Sequence, residues 1–149
     1  MNAQQLLKYQ IIKRALEIYD EFSVVVAANF PDTFGEEDSN EIVLSKLNED
    51  NIDLIFDELE YDDAMQDGRE EVRCTGCVTD LKPKNWSRHF EIDAVAKNIN
   101  GTWVAWDYYY GGGKYSEPES IEWIGDARIV NCEEVQVMKT EYYFSEVEA

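Results

Sequence analysis

The chain has few basic residues: 13 Lys and Arg stand against 32 Asp and Glu, which leaves a net charge of −19 over 149 residues. Binding to phosphate groups needs a cationic surface. The shortage therefore predicts that the protein does not bind DNA, RNA or an anionic membrane directly. An acidic chain of this kind favours a basic partner instead.

Long hydrophobic runs are also lacking. No stretch of 18 or more apolar residues is present, so the sequence predicts no transmembrane helix. Residues 1–5 lack the basic and apolar regions of a signal peptide, and we therefore expect a cytoplasmic protein. The apolar fraction of 44% is enough for a folded core, and the length predicts a single domain over residues 1–149.

Cysteine and histidine are scarce, with three Cys and one His. An odd number of cysteines indicates reduced thiols rather than a disulfide framework. Cys74 and Cys77 form a CxxC pair that, together with His89 and Cys132, would supply the four ligands of a zinc site. No second CxxC or HxxxH motif accompanies them, so small buried thiols are the favoured interpretation. We expect neither a metal nor any other cofactor.

Motifs for catalysis are absent as well. A catalytic dyad would depend on His89, and no nucleophile elbow or cysteine-protease signature accompanies it. A glycine run ending in lysine, residues 111–114, is a feature of phosphate loops, but the Walker pattern needs Ser or Thr after the lysine and Tyr115 stands there. A flexible connection accounts for the glycines. The sequence therefore predicts that the protein is not an enzyme.

The first half of the chain has the periodicity of helices. Apolar residues recur at spacings of three and four, which predicts one long N-terminal helix that ends before Pro31. A short helix is predicted over residues 40–47. Another is capped within residues 48–50, runs to Met65 and stops at Gly68.

The second half alternates between apolar and polar residues with a period of two, which is typical of strands. The clearest strand covers residues 88–97, and Asn100-Gly101 predicts a hairpin turn into a returning strand over residues 102–110. Residues 70–79 and 135–144 are two further strand candidates.

Together these patterns predict an α+β fold. Residues 1–68 are expected to be mainly helical, and residues 69–149 mainly an antiparallel sheet of about four strands. The long N-terminal helix and the short acidic helices would pack on that sheet. A further turn of helix is expected after Pro118.

The acidity is concentrated in one block. Residues 36–71 hold 15 acidic and two basic residues, a net charge of −13, against −1 for residues 1–35 and −5 for residues 72–149. Solubility alone is reached with a net charge of about 2–8, so the excess indicates a function. Carboxylates along the third predicted helix would form a band about 100° wide. The predicted partner-binding acids are Glu49, Asp50, Asp53, Asp57, Glu60, Asp62 and Asp63.

A cation site and a surface that imitates nucleic acid are the functional alternatives for this block. EF-hand spacing is absent from residues 62–68. Duplex DNA carries one charge per roughly 1.7 Å of its axis. A single helical stripe, with one carboxylate per roughly 6 Å, is too sparse, whereas the whole band comes nearer to that density. The block therefore favours a surface that imitates phosphates and occupies a basic groove.

In its size, its −13 block over residues 36–71 and its lack of a catalytic motif, the chain resembles a class of small acidic proteins. These are the DNA mimics of phages and plasmids, of the anti-restriction and anti-CRISPR type. The class has no common motif or fold, so no functional residue is carried over from it. The resemblance implies a non-enzymatic inhibitor of a basic nucleic-acid-binding protein or complex, acting as a phage counter-defence protein in the host cytoplasm.

Aromatic residues crowd the predicted strand over residues 102–110, and alternation places them on both faces of the sheet. Core packing is the leading explanation, but exposed aromatic residues are also preferred interface anchors. The predicted partner-binding set therefore also contains Trp103, Trp106 and Tyr109. Two other functions stay open. One is a small-molecule or catalytic site where this strand meets residues 111–114 near His89, and the other is assembly through the aromatic face.

Overall fold

A computed structural model describes residues 1–114 and 116–148. Five helices come first: α1 Ala3–Ile18, α2 Phe22–Asn29, α3 Asn40–Lys46, α4 Ile52–Leu59 and α5 Asp63–Arg73. Four strands follow: β1 Cys77–Val78, β2 Glu91–Ile99, β3 Thr102–Tyr110 and β4 Arg128–Val130. They form one antiparallel sheet in the order β1-β2-β3-β4, which confirms the predicted α+β fold. None of the helices described is long and apolar enough to cross a membrane.

Helix α1 lies at the centre of the helical layer. A capping box begins it: the Asn2 side chain accepts the backbone N–H of Gln5 at 2.8 Å, and the Gln5 side chain accepts the backbone N–H of Asn2 at 2.9 Å. Its apolar side chains contact α3, α4, α5 and the sheet. The most deeply buried are Leu7, Ile11, Ile12, Ala15 and Leu16.

The N-terminal helix is shorter than the periodicity predicts, and the prediction of one helix up to Pro31 is wrong. α1 ends at Ile18, and α2 begins only at Phe22. Between them Tyr19 takes an extended conformation and donates its hydroxyl hydrogen to the carboxylate of Asp67 on α5, at 2.5 Å. The apolar spacing conceals this break because buried residues of α2 continue the three-and-four pattern.

The predicted helix over residues 48–65 is in fact two helices. α4 ends at Leu59, and the side chain of Asp62 caps α5 by accepting a backbone N–H of its first turn at 2.9 Å. Gly68 lies within α5 and does not stop a helix. A Cβ there would lie 2.9 Å from the carbonyl oxygen of Ile11, so the glycine allows α5 to pack closely on α1.

The central hairpin agrees with the sequence. β2 and β3 pair along their whole length, and Asn100 and Gly101 both have positive φ, as a type I′ turn requires. The predicted strand over residues 70–79 is too long, and the prediction of a strand over residues 135–144 is wrong. Residues 70–73 belong to α5, so only Cys77 and Val78 pair with β2. Residues 135–144 form no strand; β4 lies earlier in the chain and pairs with β3 at three positions.

Different layers cover the two faces of the sheet. On one face, Val95, Val104 and Trp106 project into the helical core, where Trp123 packs against Trp106 with ring centroids 5.5 Å apart. Trp123 comes from the connection that holds two 3₁₀ turns, Pro118–Ser120 and Ile124–Asp126. The opposite face is covered by the chain between β1 and β2. We call this segment, residues 79–90, the sheet loop. Beneath or beside it lie buried Ala94, Ala96, Ala105, Asp107 and Tyr109.

Candidate functional site

Most acidic residues of the block lie on the outer surface of the helical layer. Ten of the 15 are exposed: Glu36, Glu37, Glu41, Glu49, Asp50, Asp57, Glu58, Asp63, Asp67 and Glu71. Within residues 1–114 and 116–148, five exposed carboxylates just before α4, on α4 and in the first half of α5 make no ion pair. We call these five the acidic face: Asp50, Asp57, Glu58, Asp63 and Asp67.

Several basic residues of the helical layer are used in pairs within the protein. The pairs are Lys8–Asp53 at 2.9 Å, Arg14–Glu71 at 2.6 Å, Lys46–Asp38 at 2.7 Å and Arg73–Glu70 at 2.9 Å. Hydrogen bonds from the basic partners lower the pKa of Asp38, Asp53 and Glu70 below their ordinary values. Asp38 and Asp53 therefore join separate parts of the helical layer and Glu70 pairs within α5, whereas the carboxylates of the acidic face make no ion pair among the described residues.

Two of the acids predicted to contact a partner have structural roles. Asp53 accepts hydrogen bonds from Lys8 Nζ at 2.9 Å and from Gln5 Nε2 at 3.2 Å, and so ties α4 to α1. Asp62 caps α5. Glu60 is half-buried at the end of α4, whereas Glu49 is exposed and lies 4.0 Å from the N-terminal amino group. Of the predicted acids, Asp50, Asp57 and Asp63 are both exposed and without an ion pair among the described residues.

The negative potential of this surface acts on Tyr19. Its hydrogen bond to Asp67 raises the pKa of the Tyr19 hydroxyl, and the charges of Asp67, Asp63 and Asp62 raise it further. Tyr19, Glu21, Asp62 and Asp63 also line a shallow cleft of about 240 Å³ between α2 and the start of α5. The charge of the acidic face therefore reaches the turn between α1 and α2.

Two large apolar side chains are exposed among these acids, and sequence reasoning missed both. Leu54 is 66% exposed on α4, and Tyr61, which follows α4, is 83% exposed. Leu54 stands outside the buried stripe of that helix (Ile52, Ile55, Phe56 and Leu59), and this was the signal that could have identified it. An aromatic or aliphatic side chain surrounded by charge is a common anchor of protein interfaces.

The prediction that aromatic residues of β3 contact a partner is wrong for Trp106 and Tyr109, which are buried. Trp106 has no exposed surface; its Nε1 donates to the carbonyl oxygen of Arg73 at 3.3 Å. Tyr109 is 7% exposed and packs edge-on against Phe90, with ring centroids 6.4 Å apart. Both sides of this strand are covered, which explains the aromatic content of the strand. Trp103 remains partly exposed at the other end of β3.

Asp107 is an acidic residue with no exposed surface, and no pattern in the sequence indicates its role. Its carboxylate accepts the backbone N–H groups of Lys84 at 3.1 Å and Asn85 at 3.0 Å, and a hydrogen bond from the guanidinium of Arg128 at 3.3 Å. The Asn85 amide adds a further hydrogen bond at 3.1 Å. Asp107 thus holds the sheet loop against the sheet.

The anchored sheet loop displays positive charge. Lys82, Lys84 and Arg88 are exposed, and none of them makes an ion pair within the described ranges. Trp86 lies among them in the sequence and is 82% exposed. The faces of the molecule therefore differ in sign, with carboxylates outside the helices and cations outside the sheet loop.

The cysteines do not assemble a metal site in the part of the chain that the structure describes. Cys74 follows α5, Cys77 lies in β1 and Cys132 follows β4, and all three are free thiols. They are exposed, so the prediction of small buried thiols is wrong. Among the described residues, no group of three or more His, Cys, Asp or Glu is arranged to hold a metal ion.

The alternative site beside residues 111–114 has a definite place in the fold. His89, Phe90, Lys114 and Ser116 help to line an open cavity of about 560 Å³. Tyr115 lies outside the described residues. Within those residues, no hydrogen bond orients the His89 imidazole toward a nucleophile. The cavity therefore offers space for a small molecule, without a recognisable catalytic arrangement among the described side chains.

The chemistry of the acidic face is suited to association with a partner. Carboxylates without ion pairs attract cations, and the neighbouring Leu54 and Tyr61 offer apolar area to a partner. Comparison of the chain with protein-family models, with curated proteins and with solved structures finds no match.

Proposed function

We propose that the protein binds a basic nucleic-acid-binding protein or complex through the acidic face and blocks the access of nucleic acid to it. The observation that supports this function is that the helical layer pairs most of its basic side chains within the fold and leaves acidic side chains exposed. All the basic side chains there except Lys13 are paired among the described residues, whereas Asp50, Asp57, Glu58, Asp63 and Asp67 point outward without an ion pair.

This arrangement is unfavourable for the protein alone. Like charges on neighbouring helices repel one another and lower the stability of the compact state. A cationic groove relieves that repulsion and attracts the acidic face from a distance, so association is fast and sensitive to salt. A groove that binds nucleic acid has this chemistry, because it neutralises a row of phosphates.

Leu54 and Tyr61 complete the proposed surface. Apolar anchors contribute to affinity through burial, which salt does not screen. They replace Trp106 and Tyr109 in this role, because those two side chains are part of the core. The proposed interface therefore has a salt-dependent component from the acids and a salt-resistant component from two side chains.

The biological role that fits this chemistry is inhibition without catalysis. A protein that covers a nucleic-acid groove needs no cofactor and acts in stoichiometric amounts. It would work as a counter-defence protein in the cytoplasm of a phage host, as the small acidic proteins that the chain resembles do.

The test is capture of host proteins on the immobilised protein at low and moderate salt. The expected result is retention of basic nucleic-acid-binding proteins that added duplex DNA displaces. The triple variant Asp50→Lys, Asp57→Lys and Glu58→Lys should lose this capture by tenfold or more. A matched control reverses the same number of exposed charges elsewhere in the block: Glu36→Lys, Glu37→Lys and Glu41→Lys.

The control variant should retain most of the capture. Equal loss in both variants would show that total charge, not the acidic face, determines binding. Captured proteins that duplex DNA fails to displace would contradict competition with nucleic acid.

A second candidate function rests on the cavity of about 560 Å³ beside His89. It would make the protein a small-molecule-binding or catalytic domain. Chemical shift changes confined to His89, Phe90 and Ile121 in a ligand screen would support it. No shift at these residues, together with DNA-displaceable capture, would favour the first function.

A further inference from the structure

Residues 131–148 follow β4 as an exposed tail without regular secondary structure. The tail carries seven large apolar side chains that are 66% or more exposed: Val135, Val137, Met138, Tyr142, Tyr143, Phe144 and Val147. Segments that remain unfolded are typically poor in aromatic and β-branched residues. Residues 135–144 instead have the composition of a strand, so the tail has the chemistry of a segment that packs against a surface.

A groove on the loop-covered face of the sheet offers such a surface. It has a volume of about 380 Å³, and its lining includes Val78, Leu81, Ala96, Trp103 and Val130. The sheet loop leaves this part of the sheet open. β1 forms one edge of the sheet, so the outer side of this strand has no neighbouring strand among the described residues. An extended segment can pair with an edge strand of this kind.

Charge favours the tail as the occupant. The tail has a net charge of −4 over residues 131–148, from five glutamates and Lys139. Asp80 lines the groove, and directly after Leu81 come Lys82, Lys84 and Arg88, so the sheet loop as a whole has a net charge of +2. The acidic helical layer repels the same tail. The glutamates of a bound tail would therefore lie beside the basic sheet loop.

We propose that two copies of the chain exchange their tails, each tail filling the groove of the other copy along the edge of β1. Asn131, Cys132 and Glu133, where the tail begins, line the same groove. Two copies that face each other groove to groove about a twofold axis therefore bring the start of each tail to its acceptor. From residue 134 the extended tail spans about 3.3 Å per residue, enough to reach across the groove and past the sheet loop.

This dimer is independent of the proposed function. The groove and the acidic face lie on opposite sides of the sheet, so exchange of the tails leaves both acidic faces exposed. The dimer would present two acidic faces to a partner.

Sedimentation velocity over a range of concentrations tests the exchange. The wild-type chain should form a dimer, and Tyr142→Ser, Tyr143→Ser and Phe144→Ser together should weaken it by tenfold or more. These side chains make no packing contact with the folded core, so the fold should remain intact by circular dichroism. The matched control removes three exposed apolar side chains from the helical layer, Ile42→Ser, Leu54→Ser and Tyr61→Ser, and should leave the dimer unchanged.

Charge reversal tests the pairing of tail and loop. Lys82→Glu, Lys84→Glu and Arg88→Glu together should weaken the dimer, and adding Glu141→Lys, Glu146→Lys and Glu148→Lys in the same chain should restore it. A wild-type chain that stays monomeric at high concentration, or a dimer insensitive to both the tail and the loop variants, would overturn the exchange.

An amine-reactive cross-linker tests which copy supplies the tail. In a mixture of ¹⁵N-labelled and unlabelled protein, links from Lys139 to Lys82 or Lys84 should join peptides of different label. Links that join only peptides of the same label would show that the tail folds back on its own chain, and would refute exchange. Loss of the dimer with capture intact would separate this inference from the proposed function.

Discussion

The helical layer and the sheet loop expose charges of opposite sign. In the helical layer, basic side chains such as Lys8 and Arg73 are drawn into pairs within the fold while carboxylates remain outside. Under the sheet loop, one carboxylate, Asp107, is buried, and the cations Lys82, Lys84 and Arg88 remain outside. The net charge of −19 describes neither surface. What a surface can bind depends on which charges the fold has already paired.

The two layers also differ in how they are held. Apolar contacts around α1 hold the helical layer, and its ion pairs are partly exposed. The sheet loop has no regular secondary structure and is anchored by hydrogen bonds to one buried carboxylate. Substitutions in the two layers should therefore differ in the size of their effect and in how far it spreads.

The largest effect is expected from Asp107→Asn. The amide cannot replace a charge that pairs with Arg128 and accepts hydrogen bonds from Lys84 and Asn85. Breaking a buried ion pair from one side costs about 3–5 kcal/mol, so the free energy of unfolding in urea should fall by about 3 kcal/mol. Asp80→Asn, on the exposed part of the same loop, is the control and should have little effect. An equal loss of unfolding free energy in both variants would mean that Asp107 does not anchor the sheet loop.

An intermediate effect is expected from Gly68→Ala in the helical layer. The added Cβ would lie 2.9 Å from the carbonyl oxygen of Ile11, which belongs to a helix that cannot move without repacking. Overpacking of this kind costs about 1–3 kcal/mol, more than the helix propensity that alanine gains. Thermal unfolding measures it. Gly113→Ala, whose Cβ meets no atom closer than 4.0 Å, should unfold as the wild type does. A stabilised Gly68→Ala chain would contradict the close packing of α5 on α1.

The smallest effect is expected from Lys8→Met, and it depends on pH. Lys8 lowers the pKa of Asp53 in the folded state, so the pair stabilises the fold above the unfolded pKa of about 3.9. This contribution is lost as the pH falls through the lower folded value. Because the Asp53 side chain is half exposed, the gain is about 0.2–1 kcal/mol.

The measurement for this pair is urea unfolding at neutral pH and at about pH 3. The difference between wild type and Lys8→Met should shrink at the lower pH. Lys13→Met, which removes a cation of α1 with no ion pair among the described residues, is the control. A difference that is the same at both values would show that packing of the lysine stem, not its charge, stabilises the fold.

Features encoded by neighbouring residues were predictable from the sequence. Asn100-Gly101 and the alternation beside it specify the hairpin locally, and the α+β order follows from the change of period. Residues 135–144 show the limit of such signals, since strand composition does not supply a neighbouring strand. Asp62 is a residue type that commonly caps the start of a helix, and it could have indicated that α5 is separate from α4.

The remaining errors concern contacts between distant residues. Tyr19 leaves the helix to bond Asp67, 48 positions away, and no window of sequence contains both. Asp107 has donors at positions 84, 85 and 128, so its burial depends on the completed sheet. The acidic block was predictable from composition. Which of its acids are already paired, as Asp53 is, becomes visible only in the fold.

The anchoring of the sheet loop by Asp107 has a consequence for how the molecule approaches others. Because the cations of the sheet loop and the acids of the helical layer lie on opposite sides of the sheet, a single copy of the chain is an electric dipole as well as an anion. A charged surface exerts a torque on such a dipole and turns the molecule before contact, within a screening distance of about 8 Å at physiological ionic strength. Asp107 contributes to the orientation at first encounter, because it holds the cations of the sheet loop on the side of the sheet opposite the acidic face.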